Sequence, residues 1–210
     1  MKKTKVKPAA VCPGWPRGKD PKLTPEQTET LSAMLKRIGV EEWDVLLVGD
    51  ASGSTWDRPG AWACVSVERE TGERKLWYGF GNAASINYAE AVAYDLPLTW
   101  LAGREESRLS QPGAKRRFLR VHVVTDSSYT ATSGSMVAGQ PKSNTAVWDR
   151  YETLRRQGVL VHWHHQKRET TGLNQLVDAV SKLVRKLTKA YNVLEDVLPG
   201  ATLHDVNPDD

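Results

Sequence analysis

Apolar residues recur along this chain with two periods, one of strands and one of helices. Trp43–Val48 (WDVLLV) is an almost unbroken apolar run ending at Gly49-Asp50, the pattern of a strand buried on both faces. Gly60–Val67 (GAWACVSV) predicts a second strand, Thr71-Gly72 a turn, and Arg74–Gly81 (RKLWYGFG) a third, so these three form an antiparallel meander. Phe118–Thr125 (FLRVHVVT) and Leu160–His164 predict two further strands. Thr24-Pro25-Glu26-Gln27 has the cap, first-turn proline and acidic or amide residues of a helix start, and Leu31, Met34, Leu35 and Ile38 make its apolar stripe up to Gly39. Asn87–Leu101 is Ala- and Leu-rich and predicts a helix that Pro97 should kink or interrupt. A short helix is expected after Asp126, another over Thr145–Arg156, and a last one after Thr171-Gly172 with Leu176, Val180, Leu183 and Leu187 on one stripe. Residues 103–117 read as a loop with a basic end. The order predicts an α/β fold: a mixed five-stranded sheet, antiparallel meander plus parallel strands, flanked by helices.

Composition narrows the class without deciding it. Of 210 residues, 40% are apolar and 26% charged, enough for a packed core and too apolar for wholesale disorder. Eight Trp leave room for core positions and for base-stacking surfaces. The net charge of +4 is uneven: Lys2, Lys3, Lys5, Lys7, Arg17, Lys19 and Lys22 face only Asp20 in the first 22 residues, so the rest of the chain is slightly acidic. A basic arm on an acidic body suits either a polyanion partner or a solubilising tail. Cys12 and Cys64 share no metal-ligand spacing and are expected to be free thiols in a reducing, cytoplasmic setting. No apolar run reaches membrane-spanning length, and Pro8, Pro13 and Pro16 follow the basic start where a signal core would lie, so neither a membrane nor a secretory signal is expected.

The candidate chemistry lies in carboxylates. Asp50 and Asp126 each close an apolar strand, which places both at one rim of the sheet if those strands are neighbours. Taken singly, Asp50 is better read as a turn aspartate and Asp126 as a helix cap. Glu90 sits among small apolar residues near a helix start, and Asp178 beside an apolar helical stripe. An acid in such a place needs a partner, a metal or a path to water. Four gathered carboxylates would repel one another unless cations lay between them. Hard oxygen ligands suit Mg²⁺ or Mn²⁺, and two such ions about 4 Å apart support phosphodiester hydrolysis.

These segments resemble, in order, the motifs of the type 1 ribonuclease H family from about Asp44 to Lys186. The first acidic motif is matched by Asp50-Ala51-Ser52-Gly53-Ser54 with Pro59-Gly60-Ala61-Trp62, and the second by Asn87-Tyr88-Ala89-Glu90. The third is matched by Thr125-Asp126-Ser127-Ser128-Tyr129 and the fourth by Asn174-Gln175-Leu176-Val177-Asp178. The resemblance implies a ribonuclease H-like fold and endonucleolytic cleavage of the RNA strand of an RNA–DNA hybrid with two Mg²⁺ ions. It implies metal binding by Asp50, Glu90, Asp126 and Asp178, and substrate contacts from Ser52, Gly53, Asn87, Ser128, Arg168 and Asn174. It also implies residues 43–193 as the catalytic domain, residues 1–42 as a basic extension with one helix, and 194–210 as a tail. No protein partner follows from it.

The chain departs from the family in two places. The mobile His found in many members falls near Lys167 or Arg168 here; His165 is a candidate substitute, or an ordinary strand-end histidine. His162 and His164 share a face by strand alternation and superficially resemble a metal pair, but the carboxylates explain the chemistry better. The segment between Tyr129 and Trp148 is too short for a basic hybrid-gripping helix, a task left to the N-terminal arm or to Lys115, Arg116, Arg117 and Arg120. Two other readings stand beside the hybrid nuclease: a nuclease of the same fold acting on DNA junctions or structured RNA, and a non-catalytic nucleic-acid-binding module.

Overall fold

The computed structural model describes residues 30–53, 60–81, 85–115, 117–135, 145–166 and 171–197. Five strands run over Val45–Ser52 (β1), Gly60–Glu68 (β2), Arg74–Gly81 (β3), Leu119–Thr125 (β4) and Val159–His165 (β5). They make one sheet in the order β3-β2-β1-β4-β5. The meander pairs antiparallel, whereas β4 lies parallel to both β1 and β5. This is the mixed sheet that the pattern predicted. The helices are α1 (Leu31–Arg37), α2 (Ile86–Val92), α3 (Asp95–Leu109), α4 (Ser128–Ser135), α5 (Thr145–Arg156) and α6 (Gly172–Val197). No described helix is long and apolar enough to cross a membrane.

Strand alternation divides the core in two. Val45, Leu47, Cys64, Val121 and Val123 face α2, α3 and α5, where Tyr94, Leu98, Leu101, Val147, Trp148, Tyr151 and Leu154 close the first core. Leu46, Val48, Ala63, Val65, Val67 and Val124 point the other way, against Met34 and Leu35 of α1 and Val177 of α6. Each fully buried Leu or Val contributes about 2 kcal/mol by leaving water. Six of the eight Trp are spent on these cores: Trp43 and Trp148 are buried, and Trp62, Trp77, Trp100 and Trp163 pack partly buried against the first. The other two, Trp15 and Trp56, lie outside the described residues.

Four sequence expectations need correction. The helix expected over Asn87–Leu101 is two helices, broken at Ala93-Tyr94. Pro97 kinks neither, because it falls in the first turn of α3, where a missing N–H costs nothing. Residues 103–109 continue α3, so the predicted 103–117 loop is shortened by its first half. β1 runs on through Asp50 to Ser52, so the acid is held within a strand. Finally, α6 does not bury the stripe with the largest side chains: Leu176 and Leu187 are about half exposed. Its sheet-facing side is Asn174, Val177, Ser181, Val184 and Thr188, small residues that let the helix approach the Ala61 and Ala63 positions of β2 closely. The helix start at Thr24–Gln27 lies outside the described residues; within them, Thr30 caps α1 by accepting from the Ala33 N–H at 3.2 Å.

Candidate metal centre

β1 and β4 are neighbours, and their register sets Val48 beside Val124. Two residues further along each parallel chain stand Asp50 and Asp126. Alternation from Leu46 and Val48 turns Asp50 toward the α6 side of the sheet. Tyr94, wholly buried at the break between α2 and α3, fastens the two strands just before these acids. Its hydroxyl lies 2.9 Å from the Gly49 carbonyl and 3.1 Å from the Val124 carbonyl, and shares its one proton between them. Burial pushes the Tyr94 phenol well above its usual pKa, which keeps that proton in place. Gly49 has no side chain for a spatial reason, since a Cβ there would stand 2.8 Å from Tyr94 Cε1.

Glu90 arrives from α2. Ser85 caps that helix by accepting from the Tyr88 N–H at 3.1 Å, and Ala89 and Ala91 bed it against the sheet. Oxygens of Asp50, Glu90 and Asp126 all lie within 4.8 Å of one another. Asp50 and Glu90 are nearly closed to solvent, at 3% and 6% exposure, and Asp126 is half-buried. Asp50 Oδ1 also accepts from the Ala51 N–H at 2.8 Å, which fixes its rotamer.

Three like charges at such spacing repel by roughly 3 kcal/mol per pair at an effective dielectric of about 20. A hard cation between them removes that load. Oxygens sharing one Mg²⁺ at ~2.1 Å lie at most about 4.2 Å apart, so small rotamer adjustments would let this trio hold such an ion. The donor set, all carboxylate oxygen with no sulfur or imidazole, fits Mg²⁺ or Mn²⁺.

The remaining candidates lie outside the trio. Asp178 stands outside the trio, on α6, paired with Lys182 Nζ at 2.7 Å one turn on. Ser52 is buried at the end of β1 and Gly53 follows it. Asn87 is exposed one turn before Glu90, and Ser128 is exposed as the first residue of α4, two beyond Asp126. His165 closes β5 with its Nε2 3.2 Å from the Asp126 carbonyl, beside the centre. Asn174 is turned inward: its side-chain oxygen accepts from Gln166 and Thr171, and Gln166 in turn accepts from Arg37 at 2.8 Å. That network ties the β5–α6 connection to α1. Arg168 and Lys167 lie outside the described residues.

His162 and His164 join a third histidine on the sheet. His122 Nδ1 is 2.9 Å from His164 Nε2, and the His122 ring stacks on His162. Of the basic cluster, Arg120 lies near the far end of β4, about 20 Å from Asp126 at ~3.3 Å per residue, and Arg116 lies outside the described residues. There Arg117 pairs with Glu105, and Arg120 with Glu42 and Asp44. Tyr94 was missed by sequence reasoning, since a lone Tyr in an Ala-rich helix carries no motif. The only signal was the Gly immediately before Asp50, which marks a close approach to that backbone.

Solved structures provide the comparison. The chain resembles LC11 ribonuclease H1, isolated from compost by a metagenomic approach, at a TM-score of 0.55 and 15% identity, over 70% of this chain and 98% of that one. A second structure of LC11 ribonuclease H1, in complex with an RNA/DNA hybrid, matches at 0.54 and 14%, over 69% and 99%. Ribonuclease H1 of the halophilic archaeon Halobacterium salinarum matches at 0.51 and 19%, over 67% and 96%. No protein-family model matches the chain, and neither does any curated protein sequence. The fold is therefore ribonuclease H-like, an α/β arrangement around a mixed five-stranded sheet.

Proposed function

We propose that this protein is a metal-dependent endonuclease that hydrolyses the RNA strand of RNA–DNA hybrids. The observation that carries the reading is the trio Asp50, Glu90 and Asp126, gathered within 4.8 Å at the rim of a ribonuclease H-like sheet. Its support in kind is that one structural counterpart, LC11 ribonuclease H1, has been solved with a hybrid.

In this reading the trio holds two Mg²⁺ ions, or Mn²⁺. Asp178 completes the set by exchanging its part-exposed pair with Lys182, a contact worth under about 1 kcal/mol. When bound, such ions lower the pKa of an attacking water and take up charge at the leaving oxygen. The chain's residues do the rest. Tyr94 keeps the β1 and β4 carboxylates at a fixed separation. Asn87, Ser52, Gly53 and Ser128 would offer side-chain and backbone groups to 2′-hydroxyl and phosphate oxygens of the substrate. His165, held against the Asp126 backbone and open to water, would supply a proton to the leaving oxygen or relay one from the attacking water.

The test is cleavage of a labelled hybrid in Mg²⁺ by the intact protein and by Asp126→Asn. Cutting of the RNA strand by the intact protein alone is expected, with an all-DNA duplex of the same sequence left whole. Equal cutting by both proteins would remove the carboxylate site. Cutting of the DNA duplex or of structured RNA in place of the hybrid would move the protein to another substrate of the same fold. Binding without cutting would make it a nucleic-acid-binding module.

A further inference from the structure

Arg185 stands out among the described cations. It lies seven residues, two helical turns, after Asp178, so α6 presents both on the same flank. Its guanidinium rests against Gly53, three residues beyond Asp50 on the same strand end. A Cβ at Gly53 would stand 2.5 Å from Arg185 Nη1 and 2.8 Å from Cζ. Gly53 adopts a φ of +25°, so both its backbone and the space beside it suit glycine alone. The chain thus leaves out a side chain to seat a guanidinium there.

Among the described residues, nothing offsets the charge of Arg185. Its Nε is buried without a hydrogen-bond partner. Among the described residues no carboxylate pairs with it, whereas Arg104, Arg108, Arg117, Arg120, Arg150 and Arg155 all have an acid within reach. Burying part of a cation without a partner is costly unless a ligand supplies the counter-charge. At ~3.3 Å per strand residue, the Gly53 position is about 10 Å from Asp50. That is one to two nucleotides along a strand from a phosphate at the carboxylates.

We propose that Arg185, seated on Gly53, binds a backbone phosphate of the substrate strand beside the one cut at Asp50, Glu90 and Asp126. The proposal rests on the nuclease reading for the position of the scissile phosphate. The contact is to phosphate and carries no base preference. Planar guanidinium recognition of two phosphate oxygens is what distinguishes it from a merely positive surface.

The experiment measures binding of a fluorescent RNA–DNA hybrid by cleavage-blocked Asp126→Asn protein across a range of salt concentrations, with steady-state cleavage measured in the unblocked protein. Arg185→Gln, Arg185→Lys and Lys186→Ala are compared in both. Lys186 is the exposed neighbour on another side of α6, so Lys186→Ala controls for loss of general positive charge. Arg185→Gln is expected to weaken binding about tenfold, to lower the slope of log affinity against log salt by about one, and to raise KM while leaving kcat within twofold. Arg185→Lys should recover the slope but only part of the affinity. Lys186→Ala should leave the slope unchanged.

Equal slopes for Arg185→Gln and the parent protein, with cleavage intact, would overturn the phosphate contact and leave the nuclease reading standing. An equal fall for Lys186→Ala would also overturn it, reducing Arg185 to diffuse charge. No cutting by the unblocked protein, with hybrid bound and the slope still lowered by Arg185→Gln, would sink the nuclease reading and keep the contact. No binding of hybrid by the parent protein would overturn both. Melting temperatures of all variants separate a folding loss from a binding loss.

Discussion

At one rim of the sheet, Asp50, Glu90 and Asp126 bring three like charges within 4.8 Å. At the other rim of the same strands, acids and bases alternate. Arg104 meets Glu68, Arg117 and Arg108 meet Glu105, and Arg120 meets Asp44 and Glu42; of these, Arg104, Glu68, Arg117, Arg120 and Asp44 line a cavity of about 350 Å³. Both rims are rich in ionisable groups and both hold a nearly buried carboxylate. At the second, each of these acids has an arginine within reach. Burial pushes the Glu105 carboxyl up, but the hydrogen bonds and charges of Arg117 and Arg108 outweigh it and hold the group below its usual pKa. A rim of paired opposite charges serves the fold, whereas the carboxylate trio is where, on the proposed reading, a cation would bind.

The sharpest way to break this comparison is to remove a charge at each rim. Asp50→Asn keeps an acceptor for the Ala51 N–H and should lower hybrid cleavage by roughly a thousandfold, about 4 kcal/mol of barrier. In chelator it should melt no lower than the parent, because one like charge has gone. A large loss of melting temperature would mean the acid is structural. Gly49→Ala attacks the same rim through packing. Its new Cβ collides with the Tyr94 ring and should cost about 3 kcal/mol in urea denaturation, with cleavage reduced in the surviving folded protein.

His122 of β4 and His164 of β5 form an intermediate case, basic groups whose pKa burial pushes down. Burial, and then the neighbouring His162 and His164, push His122 down to about 4. The unfolded chain, with an ordinary His pKa near 6.5, therefore binds more protons than the folded one between about pH 6.5 and 4. Stability should be complete above 6.5 and fall by about 2–3 kcal/mol as pH drops through that window. His122→Asn should flatten the fall in denaturation midpoints measured against pH. An unchanged slope would show that His122 is not its source.

The smallest effect belongs to the balanced rim. Glu105→Gln should cost about 1–2 kcal/mol at neutral pH and leave kcat unchanged. The depressed carboxyl contributes stability above its unfolded pKa and loses it as pH falls through the folded value. The variant and the parent should therefore converge in acid. A loss of cleavage in Glu105→Gln would join the two rims functionally and end the contrast.

The strands and their succession along the chain were legible in it, as were Asp50 and Asp126 at strand ends, because two-residue alternation and a carboxylate after an apolar run are local properties. That Asp50 and Asp126 are neighbours followed only from the parallel pairing of β1 with β4, a contact between segments some seventy residues apart. The break at Ala93-Tyr94 was hidden behind the more obvious Pro97, since a proline in a first turn disturbs nothing. On α6 the leucine stripe promised the buried face, yet the sheet received the small residues around Ser181, because close approach outweighed side-chain size. The amino-acid sequence alone determined which residues could carry the chemistry. The tertiary structure alone decided which of them meet, that Tyr94 fastens the strands beneath them, and that Arg185 reaches Gly53. Such contacts depend on register and helix rotation, which one-dimensional periodicity does not encode.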